Sequence, residues 1–169
     1  MKTFFIKSAA LIIFSAAGTF SFGQKKMESP RDSVSGKIGK AGVSINYGSP
    51  SVRGRKIWGE LVPYDKVWRA GANEATTFTT DQPLKIEGKT LAAGKYSFFV
   101  IPNQNEWTVI FNKTVNQWGA YEYKDRDDAL RVTVKPKKAG SMQERLVYKI
   151  NKNNISLLWE NLEVPVSIE

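Results

Sequence analysis

Tyr96-Ser97-Phe98-Phe99-Val100-Ile101-Pro102-Asn103-Gln104-Asn105-Glu106-Trp107-Thr108-Val109-Ile110-Phe111 is the stretch on which the fold turns. Its two runs, Tyr96 to Ile101 and Trp107 to Phe111, are apolar at nearly every position and rich in residues that fit a pleated surface. Runs this short on either side of a polar, proline-containing turn predict two central strands, covered on both faces and joined as a hairpin through 102–105.

Outward from that hairpin the dominant period is two. Val43, Ile45 and Tyr47 alternate with Ser44 and Asn46; Leu130, Val132 and Val134 with Arg131 and Thr133; Leu162, Val164, Val166 and Ile168 with Glu163, Pro165 and Ser167. That is the pattern of strands with one buried face. Pro165 suits an edge strand or a strand end, because it cannot donate to a ladder. Thr76 to Thr80, Leu84 to Ile86, Arg145 to Ile150 and Ile155 to Trp159 bring the expectation to about nine strands. Turn signals stand at 81–83, 87–89, 93–95, 138–140 and 151–154. Short helical turns are expected around Lys56 to Leu61 and Asp125 to Leu130. With no long 3.6-period stripe and no internal repeat, the fold class is all-β, a β-sandwich or jelly-roll-like domain.

Residues 1–23 read as a cleaved signal peptide. Lys2 and Lys7 precede an apolar stretch, and Ser21-Phe22-Gly23 ends it with small residues at alternate positions. The uncharged run falls short of the roughly 18 to 20 residues of a membrane-spanning helix. The expectation is an exported protein, periplasmic or secreted, with no transmembrane segment once the signal is removed. Residues 24–40, poor in apolar side chains, read as a flexible lead-in, and 41–169 as a single domain. The formal net charge is +9, and there is no histidine or cysteine. Ser-His-Asp and Cys-His nucleophiles, thiol redox chemistry and His or Cys metal sites are thereby excluded.

Several strings carry a resemblance to a known family: Ser49-Pro50-Ser51-Val52-Arg53-Gly54-Arg55, Trp58-Gly59-Glu60-Leu61-Val62-Pro63-Tyr64, Val67-Trp68-Arg69-Ala70-Gly71-Ala72-Asn73-Glu74-Ala75-Thr76, Gly88-Lys89-Thr90-Leu91-Ala92-Ala93-Gly94-Lys95-Tyr96-Ser97 and Asn116-Gln117-Trp118-Gly119-Ala120-Tyr121-Glu122-Tyr123. From about Ser49 to Lys135 the chain resembles a domain-of-unknown-function family, numbered 2911, of exported proteins from Bacteroidota and related bacteria. The resemblance implies a bacterial envelope or secreted protein and brings no activity, cofactor or catalytic residue with it. The family pattern often has Gly where this chain has Asp65, and Pro where it has Ala92, both of them turn positions.

Chemistry concentrates in the least sheet-like segment. Arg53, Arg55, Trp58, Glu60, Tyr64, Trp68, Arg69, Asn73 and Glu74 fall within one loop, and long ordered loops of this composition are where binding function tends to sit. Arginine forks grip carboxylate, sulfate or phosphate, while indole and phenol faces stack on sugars or planar ligands. The competing reading has Trp58 and Trp68 plugging the end of the sandwich and the arginines pairing with Glu60, Asp65 and Glu74. A second loop, 116–123, offers Trp118, Tyr121 and Tyr123 around Gly119. If both loops share one end of the sandwich, they line one aromatic and cationic pocket; otherwise these rings pack back on the sheet. Glu74 with Glu60 or Asp65 is a conceivable hydrolase pair, which requires a specific carboxylate separation that sequence spacing does not supply. Asp125, Asp127 and Asp128 lack the glycine turn and terminal glutamate of a calcium loop and read as a solvated turn. The basic cluster Lys135, Lys137, Lys138, Arg145, Lys149 and Lys152 reads as a solvated hairpin, with attraction to anionic envelope polymers as its functional alternative.

The functional expectation is a non-enzymatic envelope module for a polar ligand such as a carbohydrate or anionic glycan. Arg53, Arg55 and Arg69 would hold negative charge; Trp58, Tyr64, Trp68, Trp118 and Tyr121 would form walls or stacking faces; Asn73 and Glu74 would bond hydroxyls. A carboxylate-dependent hydrolase and a protein-interaction or structural module are the alternatives. No cofactor, metal or nucleic acid is implied, and an envelope protein is a conceivable partner.

Overall fold

Alternation of buried and open side chains along 41–48 builds β2 (Ala41–Gly48), with Val43, Ile45 and Tyr47 inward. A computed structural model describes residues 28–169, so the expected signal peptide lies outside the described residues. The other strands are β1 (Arg31–Ile38), β3 (Thr76–Thr80), β4 (Leu84–Ile86), β5 (Lys89–Leu91), β6 (Gly94–Ile101), β7 (Trp107–Asn112), β8 (Asp128–Val134), β9 (Lys137–Ile150) and β10 (Asn154–Ser167). Among the described residues a single 3-10 turn covers Asp125–Asp127. The turn around Lys56 to Leu61 is not helical.

All strand pairs are antiparallel. One sheet runs β1-β2-β3-β6-β7-β8. The facing layer is built on β9-β10. Lys85 and Glu169 exchange backbone hydrogen bonds, and Glu87 N donates to the Ser167 carbonyl at 3.0 Å, so the β4-β5 hairpin joins the end of β10. Val43, Phe78, Phe98 and Phe111 from the first sheet meet Leu146, Tyr148, Leu157 and Val164 from the second in one core. Phe78 and Phe98 each meet the Phe111 ring edge-on, an arrangement favoured by the ring quadrupoles. This is a β-sandwich.

The central strands are covered on both faces, as their uninterrupted apolar runs require. Phe98 and Val100 point to the main core; Phe99 and Ile110 lie under a second small cluster with Ala75, Val67, Ala120 and Tyr123.

Three further expectations change. Residues 31–38, inside the stretch read as a lead-in, form β1, which pairs with β2 along its full length and packs Gly36 against Ile150. The fold therefore begins well before Ala41. Its inward residues are few, Val34 and Ile38, because an edge strand buries little, and that is why composition reads as disorder. Second, 138–140 is not a turn but part of the long strand β9. Third, the runs 155–159 and 162–168 are one strand. Register shifts on either side of Glu160, which has φ +53°, mark a bulge. It moves the inward phase from Ile155, Leu157 and Trp159 to Val164, Val166 and Ile168, so one strand imitates two in sequence. With β1 and β5 added and these runs merged, the strands among the described residues number ten.

Candidate functional site

The segment between β2 and β3 leaves the first sheet, touches the second and returns. Val52 N donates to the Glu144 carbonyl at 2.7 Å and Leu146 N to the Pro50 carbonyl at 2.9 Å, adding 50–52 to the edge of β9. Further on, Trp68 and Val100 exchange backbone bonds at 2.8 and 2.9 Å, so Trp68 extends the row of β3 along β6. The open end of the sandwich is thus closed by its own loop. Asp65, at φ +59°, occupies a left-handed position that glycine fits most easily and aspartate tolerates.

Four indoles fill this end. Trp58 is only 8% exposed and stands edge-on to Trp68, Trp107 and Trp159, while Trp68 stacks on Trp159 at 5.9 Å between centroids. Trp58 offers no open face for stacking. Tyr64 packs on the core with its ring over Gly59 and lines none of the clefts described below. To this extent the loop is the plug that aromatic burial predicts.

The arginines do not pair with the acids assigned to them. Arg53 donates to the Glu28 carbonyl at 3.1 Å and pairs with the Glu28 carboxylate at 3.4 Å. Arg55 folds onto its own turn, donating to the Ser51 and Val52 carbonyls at 2.6 and 3.0 Å. Glu60 pairs with Lys56, Asp65 accepts from Asn103 Nδ2, and Glu74 pairs with Arg31 at 3.3 Å. The three carboxylates of the hydrolase pairing therefore have separate neighbours, and none of the clefts described below is lined by two of them.

The two aromatic loops do meet. Ala75 N donates to the Gln117 carbonyl at 2.9 Å and Gly119 N to the Asn73 carbonyl at 3.1 Å. Instead of enclosing one pocket, this junction forms a ridge between two. On one side lies an arginine cleft of 240 Å³, walled by Trp68 and Trp159 and edged by Arg53, Arg55, Arg69 and Asn73. On the other lies a sheet cleft of 500 Å³, with Glu74 and Trp118 at its rim. Adjacent residues of the ridge, Asn73 and Glu74, thus serve opposite sides. Trp118 is 60% exposed and Tyr121 85%.

Arg69 is the distinctive group. Its Nε is buried without a hydrogen-bond partner, and burial lowers the guanidinium pKa from its usual value, with Tyr121 acting in the opposite sense. Trp58 Nε1 and Trp159 Nε1 are also buried donors without partners. Buried donors are nearly always satisfied, because leaving one unmade costs about 1–3 kcal/mol. Three such donors collect at this end of the sandwich, and two of them belong to residues lining the arginine cleft. Next to Arg69, Ala70 adopts φ +53° although fully buried, a costly conformation for a residue with a Cβ. Its carbonyl is held by Thr76 Oγ1 at 3.0 Å and Tyr148 OH at 2.7 Å.

A larger open groove of 810 Å³ beside the β6–β7 hairpin contains Glu106 paired with Lys135 and Asp65 hydrogen-bonded by the Asn103 amide. Asp127 and Asp128 are likewise engaged, with Thr114 and with Asn112, Tyr123 and Arg131. Among the described residues no group of three or more Asp, Glu, His or Cys is placed to hold a metal ion, and no helix is long and apolar enough to cross a membrane.

Sequence reading missed Trp159, whose run gives only a core strand, and Arg31, Asn46, Thr77 and Lys95 of the sheet cleft. The signal for these lay in the polar half of the period-two pattern, which places small polar side chains on one face.

Compared with protein-family models, residues 29–168 match the one described as "Protein of unknown function (DUF2911)". Comparison with curated proteins gives no match, and comparison with solved structures gives none.

Proposed function

The chain belongs to the DUF2911 family of proteins of unknown function, and from that premise we propose that it is a non-enzymatic, exported envelope module that holds the anionic group of a glycan in the arginine cleft. The carrying observation is the set of buried donors without acceptors at the closed end of the sandwich: Arg69 Nε, Trp159 Nε1 and Trp58 Nε1. A carboxylate, sulfate or phosphate supplies acceptors and no competing donors, and a guanidinium is matched to such groups in shape and charge. Trp68 and Trp159 provide apolar walls, and Asn73 a polar edge. In this reading Arg53 and Arg55 set the positive potential of the entrance while remaining bound to Glu28 and to their own turn. The strained backbone at Ala70 holds Arg69 in place. A hydrolase using Glu74 with Glu60 or Asp65 draws no support, since each carboxylate is committed to a different neighbour.

Thermal-shift measurements with sugar phosphates, uronic acids and sulfated sugars at low and high salt test this. A ligand at 100 times its dissociation constant stabilises by about 2.7 kcal/mol, and part of that gain should be lost in high salt. Arg69→Ala should remove the response while the unliganded protein still melts cooperatively. A response equal in Arg69→Ala and wild type, or none to any anion, refutes the proposal.

A further inference from the structure

Strand register aligns small polar side chains across the outer face of the six-stranded sheet. Ser33 is opposite Asn46, Asn46 opposite Thr77, Thr77 opposite Ser97, and Ser97 opposite Asn112. A second row runs Ser35, Ser44, Thr79 and Lys95. Paired residues share a face, so these rows are hydroxyl and amide groups, with the Lys95 ammonium ending the second, repeated at the strand spacing of about 4.8 Å. The first row runs beneath the 116–118 segment, and there the sheet cleft opens, lined by Arg31, Asn46, Glu74, Thr77, Lys95 and Trp118.

Two observations point to a ligand with hydroxyls. Trp118 leaves most of its indole in solvent, although its neighbour Gln117 is buried and the other indoles pack against one another. Gln117 Oε1 and Ser97 Oγ are buried without hydrogen-bond partners, one within the cleft lining and the other in the row beneath it. The groups here differ from those of the arginine cleft. That cleft is lined by unmet donors; this one has an unmet acceptor, Gln117 Oε1, in its lining and an Arg31–Glu74 pair at 3.3 Å that offers both donor and acceptor. Its charges nearly cancel, with only Lys95 in excess, so it does not select an anion.

We propose that the sheet cleft is a second, separate binding site that takes an uncharged pyranose ring of a polysaccharide, stacked on Trp118. The ring hydroxyls exchange hydrogen bonds with Asn46, Thr77 and the Arg31–Glu74 pair, and the chain continues over the open part of the two rows, Ser33, Ser35, Ser44 and Thr79. The site is independent of the anion reading, because the ridge at Asn73–Glu74 separates the two clefts and no side chain lines both.

Co-sedimentation of the purified protein with insoluble cellulose, chitin and curdlan, and titration calorimetry with soluble glucomannan, test it. The expected result is binding of at least one of these neutral polymers that persists in high salt. Trp118→Ala should weaken it tenfold or more with the melting temperature unchanged. Arg69→Ala should leave it intact, so loss of the anion response and loss of polysaccharide binding are told apart. If Trp118→Ala does not fold, Asn46→Ala is read in its place with the same expectation. Absence of binding to all four polymers overturns the proposal. So does retention of wild-type affinity in the folded variant, and a Trp118-dependent association with protein partners alone would reassign the surface to protein interaction.

Discussion

Tyr148 is buried, and its hydroxyl donates to the Ala70 carbonyl beside Arg69. Burial raises its pKa well above the usual tyrosine value; Tyr47 is raised for the same leading reason, and Tyr123 is pushed up to about 12 by burial and by its bond to Asp128. In the unfolded chain these phenols ionise near 10. Below that pH both states keep the protons and the stabilisation is complete. As pH rises from about 10 through 12, the unfolded chain releases protons that the folded protein retains, and stability falls. Melting temperatures measured over this range should drop steeply, and Tyr148→Phe should flatten the decline. At neutral pH the same variant should cost only about 1 kcal/mol, because Thr76 still donates to the Ala70 carbonyl. A decline as steep in Tyr148→Phe as in wild type would remove Tyr148 from this account.

At the scale of elements, the end of β2 must pass very close to the ridge-bearing loop. A Cβ at Gly48 would lie 2.1 Å from the Ala72 carbonyl oxygen, which is backbone and does not yield as a side-chain tip would. Gly48→Ala should therefore destabilise by 3 kcal/mol or more, about the upper end of ordinary overpacking, and disturb the loop carrying Arg69. Gly140, in β9, has open space around its Cβ position, so Gly140→Ala should be neutral or stabilising by about 0.5–1 kcal/mol. Denaturant unfolding of the two variants gives the comparison. The elements that sequence revealed were those whose inner face is continuously apolar, such as β2, β6, β7 and β8. Those it hid were set by tertiary pairing: β1 is an edge with few buried residues, and β10 bends at Glu160, so its alternation changes phase midway. The site was legible in part. The concentration of Arg69, Asn73 and Trp68 in one loop marks the arginine cleft, but nothing in spacing says that Glu74 and Trp118 turn to the opposite side. That depends on the backbone pairing of residues 73–75 with 117–119.

For the molecule as a whole, β1 is part of the fold and of its binding end. It covers the edge of β2, packs Gly36 on Ile150 and carries Arg31 to Glu74. The residues just before it reach the arginine cleft, where Glu28 holds Arg53 and the Ser29 carbonyl accepts from Asn73 Nδ2 at 3.1 Å. A chain beginning at Ala41 should melt several degrees below one beginning at Gln24, at roughly 2–4 °C per kcal/mol lost. It should also associate at high concentration through the bared β2 edge. Equal melting temperatures for the two chains would show that β1 contributes nothing.

The joining of β4 to the end of β10 has a consequence in time. Ser167 N donates to the carboxylate of Glu87 across 80 residues of chain, and Ile168 completes the apolar surround of Ile86. Loop closure of that length has to precede any reward from the contact, so assembly belongs with the slow, non-local β topologies that fold in about milliseconds to seconds. The β4–β5 hairpin touches β8 as well, through Lys89 and the Arg131 carbonyl, but its backbone partner at the end of β10 is the last part of the fold to be synthesised. Ile86, which faces Ile168, should therefore be among the last core side chains to gain its full cover as the protein folds.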